Sequence, residues 1–208
     1  LTAVDPATSF LEAETYIPSL SQTNAAPASL LPPTPLIQTD GLTSADSPII
    51  IDVMVVYTAD ARSAAGGTTE IENLIDLGIQ ETNTSYAASG ITQRLNLVHM
   101  AEVVYTESGN ITTDRNALQD PDDGKMDEVH PMRDAYQADL VALITEDGGG
   151  VYGIAYGMTS PTTNFSLYAF CVVVRLYAAA PGSWTLGHEL GHLMGAYHEW
   201  HYYTYYGY

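Results

Sequence analysis

Residues 188–198 read His-Glu-Leu-Gly-His-Leu-Met-Gly-Ala-Tyr-His, and the interpretation of the whole chain depends on this stretch. It matches the template H-E-x-x-H-x-x-G-x-x-H at all five fixed positions, His188, Glu189, His192, Gly195 and His198. Because the chain has only 6 His in 208 residues, chance would produce such a match roughly two times in a hundred thousand. The stretch therefore predicts a functional site rather than solvated side chains on a surface helix.

Helical geometry accounts for the first part of this spacing. Residues four apart lie one turn from each other on the same face of an α-helix, so His188 and His192 can reach one ion. The opposite face is apolar and predicts a helix around 186–195 that packs against a sheet; it carries Leu186, Leu190, Leu193 and Met194. Gly195 falls where the helix must end, because glycine takes a positive φ without the Cβ penalty and can turn His198 back toward the ion.

Three neutral imidazoles form a ligand set for Zn²⁺ that leaves one tetrahedral position open, which is typical of catalytic rather than structural zinc. Glu189 lies beside the histidines but is rotated off their axis, so its carboxylate can accept a proton from water without binding the metal. The pattern predicts a zinc-dependent hydrolase that uses water to cleave peptide bonds, with Glu189 as the general base.

Two alternatives stay open at this point. His201 is a possible third ligand in place of His198, although only His198 follows a glycine at the spacing that the turn needs. The chain could also be a catalytically silent module that keeps the metal site for folding or binding, or an inactive protease fragment. His99 and His130 are expected to be ordinary side chains.

Composition narrows the classes of partner. The chain has a formal net charge of −19 and only 6 Lys and Arg, which argues against binding to nucleic acid or to an anionic membrane surface. No apolar run approaches the length of a membrane helix. The single cysteine, Cys171, excludes an internal disulfide and a cysteine-ligated zinc module. We expect protein or peptide substrates and a monomer.

Two regions differ in composition. Residues 1–48 hold seven of the eleven prolines and no Lys, Arg or His, so they are expected to be a linker or the end of a pro-segment. Residues 49–208 alternate between apolar strands and amphipathic helices, which predicts an α/β fold with a sheet covered by helices. The predicted strands are 49–57, 94–105, 139–145 and 166–176, and the predicted helices are 68–88, 126–138 and 186–195.

Four stretches of sequence, one of which contains the motif, resemble the metzincin clan of zinc endopeptidases. Within that clan they resemble the bacterial reprolysin-like group, which includes the peptidyl-Asp metalloendopeptidases. They are IDVMVVYTADAR (51–62), GKMDEVHPMRDAYQADLVALI (124–144), GVYGIAYGM (150–158) and SWTLGHELGHLMGAYHEW (183–200). The resemblance implies a secreted zinc protease with a twisted sheet of about five strands, whose antiparallel edge strand pairs with the substrate main chain. Here that edge is expected at 153–158, with Gly153, Ile154, Ala155 and Tyr156 in contact with substrate.

The chain departs from the clan at its C-terminal end. Metzincins carry a methionine turn downstream of the third histidine, whereas all six Met residues of this chain precede His198. The expectation is that residues 49–208 form the N-terminal part of the catalytic domain, and that this turn and the C-terminal subdomain lie beyond Tyr208.

The resemblance also suggests cleavage on the amino side of acidic residues, which requires a cation in the substrate pocket. Arg175 is the candidate nearest in sequence to the predicted metal-binding helix. The alternative for Arg175 is a strand-end charge that is paired with one of the many carboxylates.

Overall fold

The computed structural model of the protein describes residues 49–179 and 183–198. The predicted segment 1–48 and the alternative ligand His201 lie outside these described residues, so both stay predictions.

A five-stranded mixed sheet forms the centre of the described part. Its strands are β1 (Ile50–Tyr57), β2 (Arg94–Glu102), β3 (Leu140–Thr145), β4 (Gly153–Ala155) and β5 (Phe170–Val174). The order is β2-β1-β3-β5-β4, in which β1, β2, β3 and β5 are parallel and β4 is an antiparallel edge strand on β5. The predicted α/β class, the mixed sheet of about five strands and the edge position of β4 are confirmed.

Helices cover both faces of this sheet. They are α1 (Ala59–Ala65), α2 (Thr68–Ala88), α3 (Ile111–Gln119), α4 (Val129–Tyr136), α5 (Arg175–Ala178) and α6 (Thr185–Leu193), and a 3-10 helix spans Thr163–Tyr168. Along β1, Val53 and Val55 belong to the core that includes α2 and α6, whereas Met54 and Val56 belong to the core that includes α3 and α4. Burial on both faces explains why the strands read as continuous apolar runs rather than as alternating ones.

Four predicted elements are longer by at least three residues than the observed ones. The second strand ends at Glu102 rather than Tyr105, and the helix predicted at 126–138 is α4, which begins late because Pro131 fits only the first turn. The run 166–176 is a strand only at β5, because the exposed residues Leu167 and Tyr168 belong to the 3-10 helix. The edge strand predicted at 153–158 ends at Ala155, since the Met158 amide bonds to the His192 carbonyl instead of continuing the ladder.

Three α-helices, α1, α3 and the four-residue α5, were missed by the sequence analysis, and the first two have side-chain caps. Thr58 is the N-cap of α1, and its side chain accepts a hydrogen bond from the Ala61 amide. Asn110 caps α3 in the same way by accepting from the Thr113 amide. Both helices are under ten residues long, so they show few repeats of the apolar period.

None of the helices within residues 49–179 and 183–198 is both long and apolar enough to cross a membrane.

Leu190→Ala tests the attachment of α6 to the core. Leu190 is fully buried, and its truncation should lower the free energy of unfolding by about 2–5 kcal/mol because a cavity is left between α6 and the sheet. Urea unfolding followed by circular dichroism measures this loss. The control is Leu77→Ala on α2. The Leu77 side chain is 47% exposed, so its truncation should lower the free energy of unfolding by less than about 0.5 kcal/mol. Equal losses in both variants would contradict the packing described here.

Candidate active site

Helix α6 places the first two histidines and the glutamate in different environments. Its apolar face, Leu186, Leu190 and Leu193, is at most 1% exposed and packs in the core shared with α2. This burial fixes the rotation of the helix, so His188 and His192 lie side by side at the cleft while Glu189 is buried beneath the sheet edge. The predicted division of α6 into an apolar face and a histidine face is confirmed.

The third histidine is returned by a turn after α6. Gly195 has φ +90°, a left-handed conformation that glycine adopts without strain, as the sequence predicted. The amides of Gly195 and Ala196 bond to the carbonyls of His192 and Gly191, which closes the turn. His198 therefore stacks against His188, with 5.1 Å between the ring centroids.

The three imidazoles converge on one point. His188 Nε2 lies 3.1 Å from His198 Nε2 and 3.0 Å from His192 Nε2. A tetrahedral ion with three imidazole ligands at zinc–nitrogen distances of ~2.0–2.1 Å needs these nitrogens about 3.3 Å apart, so the donor set fits Zn²⁺ within a few tenths of an ångström. Among the described residues, this is the one group of His, Cys, Asp or Glu side chains close enough together to hold a metal.

The protonation of the site also suits a metal. His192 Nδ1 lies 2.8 Å from the Ala196 carbonyl, which can only accept, so Nδ1 carries the proton and Nε2 presents its lone pair to the cluster. Desolvation, together with the neighbouring imidazoles of His192 and His198, lowers the pKa of His188 to about 4. Desolvation also lowers the pKa of His192 and of His198. The three rings are therefore neutral near pH 7, the state in which imidazole binds metal.

Glu189 lies directly under the edge strand. Its side chain is 5% exposed, and a Cβ added at Gly153 of β4 would lie 2.6 Å from Glu189 Oε1 and 2.6 Å from Thr185 Cγ2. Gly153 is thus the residue that lets β4 approach the carboxylate. Of the four residues predicted to contact substrate, Gly153 is the one that lies against Glu189. Ile154 is 2% exposed and belongs to the core on the side of α3 and α4, and Tyr156 follows β4 and stacks on Arg115.

An apolar cleft of about 1000 Å³ adjoins His188 and His192. Residues 49–51, Ile91 and Phe165 also line it. None of the described residues that line it is Lys or Arg. The cleft therefore offers apolar contacts and no cation for an acidic side chain.

Arg175 forms an ion pair with Glu146. Its Nε and Nη2 donate to the two carboxylate oxygens of Glu146 at 2.6 and 3.0 Å. This hydrogen bonding raises the pKa of Arg175. The structure thus places Arg175 in the ion pair that the sequence analysis left open as its alternative, and Arg175 does not line the cleft next to the histidines.

Sequence reasoning missed one cation near the edge strand. Arg115 of α3 stacks on the ring of Tyr156, with its guanidinium carbon 3.9 Å from the ring centroid. Nothing in the sequence brings residues 115 and 156 together, because the helix that carries Arg115 was not predicted. Its helical cap at Asn110 was the available signal.

Removing single histidines tests the metal site. His188→Ala, His192→Ala and His198→Ala should each lower bound zinc by at least about tenfold after dialysis at neutral pH, because each removes one of three converging donors. Atomic absorption measures the zinc content, and His99→Ala, whose ring stacks on Tyr136 instead, is the control. Full zinc in His198→Ala and loss of zinc in His201→Ala would transfer the third-ligand role to His201.

Comparisons with known proteins agree with this geometry. Residues 73–199 match the family model described as metallo-peptidase family M12B, reprolysin-like. The chain is 35% identical over 158 residues to a peptidyl-Asp metalloendopeptidase of Xanthomonas campestris pv. campestris and 34% identical over 173 residues to one of Stenotrophomonas maltophilia (strain K279a). These alignments cover 75% and 81% of this chain but only 35% and 39% of the relatives, so the chain spans little more than a third of their length.

A solved structure described as a chaperone-substrate complex aligns with 75% of this chain and 28% of its own, with a TM-score of 0.61 and 20% identity, and so shares the fold. The match of the family model over more than half of the chain confirms the resemblance inferred from the motif strings. The chain belongs to the reprolysin-like metallopeptidases of family M12B.

Proposed function

We propose that the protein is a zinc-dependent endopeptidase. The observation that carries this proposal is the convergence of three imidazole nitrogens beside a buried glutamate, directly under an open sheet edge. Zinc held by His188, His192 and His198 would supply a Lewis acid that activates water and polarises the peptide carbonyl.

Glu189 is the group that moves protons in this proposal. Its carboxylate accepts a proton from the water as the oxygen attacks the peptide carbonyl carbon, and gives that proton to the amide nitrogen as the C–N bond breaks. Burial under Gly153 suits this task, because it holds the carboxylate in one position beside the histidines. The rigid attachment of α6 keeps the carboxylate in place through both transfers.

Strand β4 binds the substrate main chain. It is the outer strand of the described sheet, so the side facing away from β5 has main-chain donors and acceptors available for a peptide strand. Pairing by strand addition uses the peptide backbone and tolerates many sequences. Gly153, Ile154, Ala155 and Tyr156 are the residues that we assign to this contact.

Cleavage next to aspartate is the finer part of the proposal. It is supported by two relatives that carry the name peptidyl-Asp metalloendopeptidase. Secretion, a monomeric state and the absence of nucleic-acid and membrane partners stay predictions from the sequence.

Glu189→Gln separates catalysis from metal binding. The amide keeps the size of the side chain but cannot accept the proton, so peptide hydrolysis should fall by at least about a hundredfold while bound zinc stays unchanged. Cleavage of a fluorogenic peptide library and atomic absorption measure the two quantities. Zinc binding without hydrolysis in the parent protein would favour the silent metal-binding module, and unchanged turnover in the variant would exclude Glu189 as the base.

Gly153→Ala tests whether the edge strand positions the glutamate. The added methyl would stand 2.6 Å from Glu189 Oε1, so either the carboxylate or β4 must move and hydrolysis should fall by about 10- to 100-fold with zinc retained. Gly191→Ala is the matched control, because its added methyl would meet nothing closer than 3.6 Å. Equal activity in the two variants would contradict this arrangement.

A further inference from the structure

The chain has very few cations, and the structure accounts for all six of them. Every Lys and Arg lies at a described position. Arg62, Lys125 and Arg175 form ion pairs with Glu102, Asp123 and Glu146 respectively. Backbone carbonyls accept hydrogen bonds from Arg94 and from Arg133. Arg115 is the one that remains without a carboxylate within 4 Å or a backbone carbonyl partner in the described part of the chain.

The guanidinium of Arg115 is buried with little hydrogen bonding. The residue is 6% exposed, and its Nε is buried with no hydrogen-bond partner. Its Nη2 donates to the side-chain oxygen of Asn116 at 3.2 Å, a neutral acceptor. A buried cation with open donors is costly unless another group pairs with it, so Arg115 has donor capacity left for an anionic acceptor.

A neighbouring carboxylate does not supply that anion. Asp114 precedes Arg115 on α3, but its Oδ1 accepts from the Tyr105 hydroxyl at 2.7 Å and the Ser108 amide at 3.0 Å. No ion pair joins Asp114 to Arg115.

Arg115 lies at the end of the strand that is assigned to substrate binding. Its guanidinium stacks on Tyr156, the residue immediately after β4. The Tyr156 hydroxyl donates to the same Asn116 oxygen, at 3.2 Å, that accepts from Arg115. Tyr156 is half-buried, and its ring covers one face of the guanidinium. A peptide strand on β4 must therefore pass the Tyr156 ring and the cation behind it.

We propose that Arg115 is the residue that recognises an acidic side chain of the substrate strand. This inference rests on the proposed function and names the specificity of the same site. A substrate carboxylate accepts hydrogen bonds from the open donors in the plane of the guanidinium, while the Tyr156 ring stacked on its face holds that plane in place. Binding completes the hydrogen bonding of a buried cation, so an uncharged side chain of the same shape binds less well.

The test compares peptides that differ only by Asp or Asn. One such pair is made for each of three positions on either side of the cleaved bond, and kcat/KM is measured for both members with the full-length, zinc-loaded protein. At one position, the parent should prefer Asp over Asn by about 10- to 100-fold, the range expected of a desolvated charged hydrogen bond.

Two variants change the cation by different routes. Arg115→Gln removes the charge, and Asn116→Asp places a competing carboxylate on Arg115 while keeping the size of the side chain and both of its hydrogen bonds. Both should reduce the Asp-to-Asn ratio to near one. If Arg115→Gln fails to fold, Asn116→Asp decides, because it leaves the packing of Arg115 and Tyr156 intact. Arg62→Gln removes an equal charge from the pair with Glu102 and should leave the ratio unchanged.

The outcomes distinguish this inference from the proposed function. A parent that cleaves none of the peptides contradicts the endopeptidase itself. A parent that cleaves them with no preference for Asp overturns the role of Arg115 alone. A preference that survives in Asn116→Asp, or in a folded Arg115→Gln, also overturns it and assigns acid recognition to another group.

Discussion

The burial of one face of α6 determines where every group of the site lies. Leu186, Leu190 and Leu193 enter the core between the sheet and α2, and this fixes the rotation of the helix about its axis. Successive residues of a helix are about 100° apart, so a fixed leucine face sends His188 and Glu189 in different directions. The hydrophobic effect thus directs the side chains of two residues that are neighbours in sequence into different environments.

Glycines let the surrounding elements approach α6 closely enough to complete the site. A Cβ at Gly187 would lie 2.5 Å from Thr82 Oγ1 of α2, and one at Gly153 would lie 2.6 Å from the Glu189 carboxylate. The first glycine brings α2 against α6 on the core side, and the second brings the edge strand over the glutamate. In both places the close approach requires the absence of a side chain rather than a special backbone angle. The distance between the Glu189 carboxylate and β4 is therefore set by packing of the backbone itself.

Local sequence predicts the parts of this protein that depend on local spacing. The predicted helix 68–88 has the same bounds as α2 in the structure. The histidine face of α6 and the turn at Gly195 are encoded within a stretch of eleven residues. The ends of strands were predicted less well, since the limit of β4 depends on a bond between Met158 and His192 that only the folded chain brings together. Arg115 was missed for the same reason, because the contact that distinguishes it from the other cations is made with Tyr156, which is forty-one positions away in sequence.

The strong negative charge of the chain bears on how an acidic substrate could be selected. With a net charge of −19, the long-range field repels acidic peptides, although salt screens this repulsion beyond ~8 Å at physiological ionic strength. Attraction must therefore come from a contact at short range, where desolvation strengthens the interaction between two charges. A cation in full solvent would gain little from such a contact. A buried guanidinium beside the sheet edge meets the requirement, and five of the six cations are already occupied by carboxylates or carbonyls. Acid selectivity in so acidic a protein is thus compatible with one desolvated arginine and does not need a basic surface.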